Sequence, residues 1–143
     1  MIDIREIRVG NCFNIKNRKE LVFVDSILSL DNEILYSTWH DEKHSYADIS
    51  YFIPIPISEE ILLELGFKKE VDDVINREYY RLRLNGFCID INRYSNTLGR
   101  DYSVHIDNDC CDSVLSGDIQ YLHQLQNYIY DSTKQELNIS NII

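Results

Sequence analysis

Glycine and cysteine are scarce in this 143-residue sequence, which contains five of the first and four of the second. The glycines are scattered singly, so the glycine-rich loops that bind nucleotide phosphates are absent. The cysteines, Cys12, Cys88, Cys110 and Cys111, lack the Cys-x-x-Cys spacing of zinc and thiol-redox sites. We therefore expect reduced thiols in a cytoplasmic protein.

Long apolar segments are also absent. Runs such as "YFIPIPI" at 51–57 are far shorter than the roughly 20 residues that a membrane-spanning helix needs. The start, "MIDIREIRVG", mixes acidic and basic residues where a signal peptide has a basic block followed by an apolar one. The sequence thus predicts no membrane association.

Basic residues are the minority, with 14 lysines and arginines against 24 aspartates and glutamates, a formal charge of -10. Such a charge repels a phosphate backbone, so we expect no direct binding of nucleic acid. Residues 101–118 contain five aspartates and no lysine or arginine: Asp101, Asp107, Asp109, Asp112 and Asp118. This segment is either a solvated loop or a surface that meets a basic groove.

No motif in the sequence indicates a particular chemistry. "HDEKH" places His40 and His44 four residues apart, but Asp41 stands where a zinc metalloprotease has glutamate, so we interpret this segment as a polar loop. "DNDCCD" starts like a calcium-binding loop, yet Asp112 stands at the invariant glycine position. "SGD" is not the sharp turn that presents a nucleophile. We predict no catalytic residue, metal or cofactor, and hence no enzyme.

The composition, 44% hydrophobic and 27% charged, is typical of a globular protein, and we predict a single domain over 1–143. Residues 1–57 read as a small antiparallel β unit, for which an SH3-like barrel is one form. Its predicted strands are "RVGNCFNI", "ELVFVDSILSL", "NEILYST" and "ISYFIPIPI". Pro54 and Pro56 lack N–H donors and mark where the chain leaves the sheet.

Residues 58–143 predict a short helix, a β-meander and a C-terminal amphipathic helix packed on the sheet, which makes the fold class α+β. Ser58 caps the short helix, which ends at Gly66. The charged segment "KKEVDDVINRE" leads to the strands "YYRLRL", "FCIDINRY" and "DYSVHID", and "NDCCDSVLSG" follows as a loop. Asp118 is then a cap for the final helix, and "QELNISNII" either adds an edge strand or lies loose.

The final helix is rich in tyrosine. Ile119, Leu122, Leu125 and Ile129 recur at three- and four-residue spacing and predict a buried stripe. Three tyrosines lie beside that stripe: Tyr121, Tyr128 and Tyr130. They either cap the rim of the core or form a protein-binding face, because tyrosine combines a large apolar ring with a polar tip.

Three segments, "IREIRVGNCF", "IPIPISEEILLELGFKK" and "IQYLHQLQNYIYDSTKQEL", carry a resemblance. They resemble the shared blocks of a family of small uncharacterised proteins from phages and prophages of Bacteroidota. That family has an arginine-glycine-asparagine start, a proline-isoleucine-proline-leucine block and a histidine-glutamine-leucine-glutamine-asparagine helix. The usual helix end of the family, threonine-glycine-glutamate-glutamate-leucine, is replaced here by Thr133-Lys134-Gln135-Glu136-Leu137.

The resemblance implies a phage setting and brings no catalytic residue, because the family has no established activity. Small acidic phage proteins often bind host machinery, and inhibitors of CRISPR effectors, including RNA-targeting ones, are a prominent class. The expected partner is a basic host effector, met through the five aspartates and three tyrosines named above. The alternatives are a structural or replication accessory protein that binds another phage protein, and a nuclease or hydrolase that uses the aspartate cluster.

Overall fold

The computed structural model describes residues 2–16, 18–38, 41–93, 102–108 and 113–142, and it divides into two compact units. The first unit is built from residues within 1–56 together with 121–127. The second is built from 57–120 together with 128–142. The boundary between the two units after Pro56 lies next to residue 57, where the sequence predicts the end of the β unit. The first unit also contains residues 121–127.

The first unit contains one five-stranded antiparallel sheet with the order β4-β3-β2-β1-β5. The strands are β1 (Cys12–Ile15), β2 (Arg18–Leu28), β3 (Glu33–Thr38), β4 (Asp41–Asp48) and β5 (Phe52–Ile53). One-turn 3-10 helices cover Ile4–Glu6 and Ile49–Tyr51, the second directly before β5. The last strand of this sheet, β5, pairs antiparallel with its first strand, β1.

Alternation along the strands builds the core of this unit. Val22 and Val24 are buried while Phe23 and Asp25 are half-buried, as expected for a strand with one face in the core. The rings of Phe13 and Phe52 meet edge to face with centroids 5.9 Å apart. The runs rich in valine, isoleucine, phenylalanine and tyrosine thus form the sheet that they predict.

The interpretation of "HDEKH" as a loop was wrong for Asp41–His44, because strand β4 runs over Asp41–Asp48. β4 lies at the edge of the sheet, and its residues 43–46 are exposed. Edge strands carry charged side chains that discourage pairing with other chains, so the apolar alternation that reveals a strand is missing here. His40 lies outside the described residues.

The second unit begins with helix α1 (Glu59–Glu64), and the predicted signals for it are confirmed. The Ser58 hydroxyl accepts a hydrogen bond from the Ile61 N–H at 3.3 Å, which caps the first turn. Leu62 and Leu65 are buried, and Gly66 follows with a φ of 98°. Phe67 is buried directly after this turn.

A second five-stranded antiparallel sheet follows, with the order β10-β9-β8-β7-β6. Its strands are β6 (Lys68–Asp72), β7 (Arg77–Leu84), β8 (Phe87–Arg93), β9 (Tyr102–Asn108) and β10 (Ser113–Ile119). Buried side chains occupy one face: Tyr80, Ile89, Ile91, Tyr102, Val104 and Ile106. The predicted meander with one wet face is confirmed, including the two-residue turn at Asn85 and Gly86.

Two strands of this meander were missed. The charged segment after Phe67 forms β6, an edge strand whose side chains are exposed or half-buried. The predicted loop "NDCCDSVLSG" contains the start of β10, so Asp118 pairs with Ser103 in the ladder and does not cap the final helix. That helix begins at Leu122, whose N–H donates to the Ile55 carbonyl at 2.8 Å.

Helix α2 (Leu122–Thr133) buries Leu122, Leu125 and Ile129, which confirms the apolar stripe. Its residues up to Asn127 belong to the first unit and those from Tyr128 onward to the second. After it, residues 135–139 have no regular structure and Ser140–Ile142 form one 3-10 turn, so no edge strand is added; Leu137 is nonetheless buried. Within the described residues, no helix is long and apolar enough to cross a membrane.

Candidate functional site

Two amide side chains on α2, those of Gln126 and Asn127, hydrogen-bond the chain before β1. The buried Gln126 side chain accepts from the Cys12 N–H at 3.0 Å through Oε1 and donates to the Gly10 carbonyl at 3.1 Å through Nε2. Asn127 Nδ2 donates to the Glu6 carbonyl at 2.7 Å. The helix thus supplies the backbone partners that this turn cannot find in a sheet.

Asn11 completes this group from the turn itself. Its side chain is fully buried, accepts from the Arg8 N–H at 2.8 Å and donates to Asn127 Oδ1 at 2.9 Å. Gly10 has a φ of 92°, a left-handed conformation that glycine adopts without strain. We call Gly10, Asn11, Gln126 and Asn127 the amide cluster.

The amide cluster joins two of the segments quoted above from the sequence, "IREIRVGNCF" and "IQYLHQLQNYIYDSTKQEL". The arginine-glycine-asparagine start and the histidine-glutamine-leucine-glutamine-asparagine helix are hydrogen-bonded to each other, so their unusual composition has a structural reason. Buried polar groups need such partners. The sequence offered one signal for this: Gln126 lies four residues after Leu122 and three before Ile129, on the buried stripe itself.

His123 is also a buried polar side chain of α2, but it lies outside the amide cluster. It is 2% exposed and lies against two aromatic rings, Phe13 at 4.9 Å and Tyr121 at 5.9 Å between centroids. Within the described residues neither ring nitrogen has a hydrogen-bond partner. Burial lowers the pKa of His123 to about 4, so the ring is neutral near pH 7.

A serine, an aspartate and a histidine also meet on the first sheet. His44 Nδ1 lies 2.7 Å from Asp25 Oδ2, and Ser37 Oγ donates to Asp25 Oδ1 at 3.1 Å. Nucleophilic catalysis needs the serine on the histidine, with the aspartate behind it. Here the serine bonds the aspartate, so the order of a catalytic triad is not present.

No group of three metal-ligating side chains occurs within the described part of the chain.

The outer face of the second sheet collects polar side chains from all five strands, and we call it the polar sheet face. Residues directly opposite each other in antiparallel strands share a face. The register therefore places Arg81 with Asp90, Asp90 with His105, and Cys88 with Asp107. Asp118 lies opposite Ser103, which is two residues before His105 on β9 and so belongs to this face.

In the β6–β8 half of the polar sheet face, Arg81 forms ion pairs with the carboxylates of Asp90 and Glu70. Arg81 binds both carboxylate oxygens of Asp90, at 2.7 and 2.9 Å, and these hydrogen bonds raise the pKa of Arg81. Tyr79 donates to Glu70 at 2.9 Å, and this bond raises the pKa of the phenol. Burial raises the pKa of Cys88, which keeps it a thiol; it lies half-buried on this face and not in the core.

The β9–β10 half is different, because neither strand contains lysine or arginine. Asp107 Oδ1 lies 3.0 Å from His105 Nε2, and Asp118 is exposed on the edge strand β10. Two of the five predicted aspartates are thus brought to one face of neighbouring strands. Asp101, Asp109 and Asp112 lie outside the described residues.

The three tyrosines are half-buried, and each has a neighbour within its own unit. Tyr121 forms an isolated bridge with Pro56. The Tyr128 ring lies over Gly117, where a Cβ would come within 2.8 Å of its hydroxyl oxygen. Lys134 Nζ lies 5.7 Å from the centroid of the Tyr130 ring. These contacts agree with the rim-of-core alternative and leave part of each ring exposed.

Comparison with known proteins adds no relative: no protein family model, no curated protein and no solved structure matches this chain.

Proposed function

We propose that this chain is a non-catalytic, phage-encoded binding protein that inhibits a host defence nuclease in the bacterial cytoplasm. The specific candidate is a CRISPR effector, in particular an RNA-targeting one. Inhibition proceeds by protein-protein binding without turnover. The phage setting rests on the sequence resemblance, and the mode of binding rests on charge.

The observation that supports this proposal best is the β9–β10 half of the polar sheet face, which has two aspartates and no lysine or arginine. Asp107 and Asp118 lie on one face of β9 and β10, two strands without a basic residue. The second unit as a whole has 15 acidic and 8 basic residues, a formal charge of -7 out of the total of -10. An acidic surface of this kind is attracted to a positively charged groove.

A CRISPR effector offers such a groove. Its guide channel holds a nucleic-acid duplex through positively charged side chains that contact the backbone. An acidic protein that occupies the channel, or its entrance, competes with the guide or with the target strand. Binding of this kind requires no catalytic group on the inhibitor.

The test uses a purified RNA-targeting CRISPR effector from a Bacteroidota host, prepared with and without its guide RNA. We expect binding to at least one form and loss of target cleavage at a stoichiometric amount of this protein. No binding to either form, together with normal cleavage at an excess of this protein, would remove the inhibitor proposal. The accessory-protein alternative would then stand, and a pull-down from phage-infected cells would identify the phage partner.

A further inference from the structure

The tip of the β6–β7 hairpin presents aliphatic side chains to water. Val74 is 94% exposed and Ile75 is 61% exposed, and Val71 on β6 is half exposed. Of the ten large apolar side chains that are exposed within the described residues, three therefore lie on this one hairpin. Hairpin turns normally carry glycine, asparagine, aspartate or serine, and adjacent exposed aliphatic residues suggest a binding role.

The exposure of this tip does not come from an irregular loop. Asp72 pairs with Arg77 at the base of the turn, and Asp72 Oδ1 accepts a hydrogen bond from the Val74 N–H at 3.0 Å. Asn76 has a φ of 51°, the left-handed conformation that asparagine tolerates in turns. The turn thus holds Val74 and Ile75 in a defined conformation, which lowers the entropic cost of binding.

The charges around the tip select the kind of partner. Asp72 and Asp73 directly precede Val74, and Glu78 follows Arg77. Glu78 is paired with Lys69, at 3.2 Å between Oε2 and Nζ, so Asp72 and Asp73 against Arg77 give the tip its acidic border. The second unit that contains the tip has a formal charge of -7. Anionic lipid headgroups repel such a border, whereas a protein pocket lined by apolar residues and bordered by lysine or arginine attracts it.

We propose that Val74 and Ile75 are the apolar anchor with which this protein enters a pocket on a basic partner protein. The acidic border of the tip pairs with the basic rim of that pocket, and the two aliphatic side chains lose their contact with water inside it. This inference rests on the proposed binding function and adds the segment that supplies the apolar contact. It does not require the partner to be a nuclease.

The first arm of the test identifies what the tip touches. A photo-crosslinking residue replaces Val74 in one full-length variant and Leu30 in another, and both are expressed in Bacteroidota cells. Leu30 is a matched position because it is fully exposed on a different hairpin tip and, like Val74, has an aspartate as a direct neighbour in the chain. We expect a protein adduct at position 74 that is absent at position 30. Equal adducts at both positions, no adduct, or adducts only with lipid or with a second copy of this chain would overturn the proposal.

The second arm measures affinity for the captured protein after its purification. The double substitution Val74→Ser and Ile75→Ser should weaken binding by about tenfold or more, because two aliphatic side chains no longer gain from burial. Leu30→Ser should change Kd by less than about twofold, a difference below 0.5 kcal/mol of binding free energy. Unchanged affinity of the double variant would overturn the anchor. A captured protein that is not a defence nuclease would instead refute only the proposed function.

Discussion

At the scale of single residues, two amide side chains on helix α2 stabilise the turn before β1. Gln126 and Asn127 hold the turn before β1 through its backbone, and Asn11 joins them from within that turn. A plain amphipathic helix would place apolar residues at these positions. The amides are needed because the Cys12 N–H and the Gly10 carbonyl take Gln126 as their partner, whereas the Gly10 N–H and the Asn11 carbonyl pair with Val24 of β2.

Gln126→Leu should destabilise the protein by at least about 2 kcal/mol, because the Cys12 N–H and the Gly10 carbonyl would each lose their partner. The measurement is the free energy of unfolding from urea titration at pH 7. Asp131→Leu, at an exposed position on the same helix, serves as the control and should change stability by less than about 0.5 kcal/mol. Equal effects of the two variants would show that the amide cluster contributes nothing.

His123 should make stability depend on pH below neutrality. Its pKa is about 4 in the folded state and about 6.5 when unfolded, so between these values the unfolded chain binds a proton that the folded chain rejects. Stability therefore falls as pH decreases from 6.5 to 4, by up to about 3 kcal/mol from this residue alone.

His123→Phe isolates that contribution, because phenylalanine preserves a ring against Phe13 and Tyr121 and does not titrate. Unfolding free energies of both proteins should be compared at several pH values between 7 and 4. We expect the unfolding free energy of the variant to rise steadily relative to that of the wild type as pH falls. Parallel curves for the two proteins would contradict the burial of a neutral imidazole.

At the scale of secondary-structure elements, strand β10 contacts helix α2 where Gly117 meets the Tyr128 ring. The Tyr128 ring lies over Gly117, so Gly117→Ala should destabilise the protein by roughly 1–3 kcal/mol through overpacking. In a Tyr128→Ala background the same substitution should be neutral or favourable, since alanine is preferred to glycine within a strand. A double-mutant cycle by urea unfolding measures this coupling, and strictly additive effects would contradict the contact.

The elements that the sequence revealed are those with apolar alternation or a cap. The strands β7, β8 and β9 and the helix α1 show such signals and were predicted. β4 and β6 are edge strands with polar or charged exposed faces, so their side chains resemble those of loops. Asp118 resembles a helix cap in the sequence, but its backbone is already paired with β9. Long-range ladder bonds of this kind leave no local trace.

At the scale of the whole molecule, composition gives the net charge. It does not give the places on the surface where the charged side chains come together. The run of aspartates at 101–118 was visible in the sequence, whereas the grouping of Asp107 with Asp118 required the register of β9 and β10. The exposed Val74 and Ile75 were hidden within a segment that reads as charged. Exposure of an aliphatic residue depends on the neighbours that folding brings to it.

The association rate with a purified CRISPR effector tests the central claim most directly. Two double variants should be compared. The first carries Asp107→Asn and Asp118→Asn, and the second carries Glu60→Gln and Asp131→Asn. Each pair removes two negative charges from the second unit, but only the first removes them from the polar sheet face. We predict that the first pair slows association by about threefold or more at low salt, with a smaller effect at high salt, and that the second pair has little effect. Equal association rates for the two variants would contradict a specific role for this face.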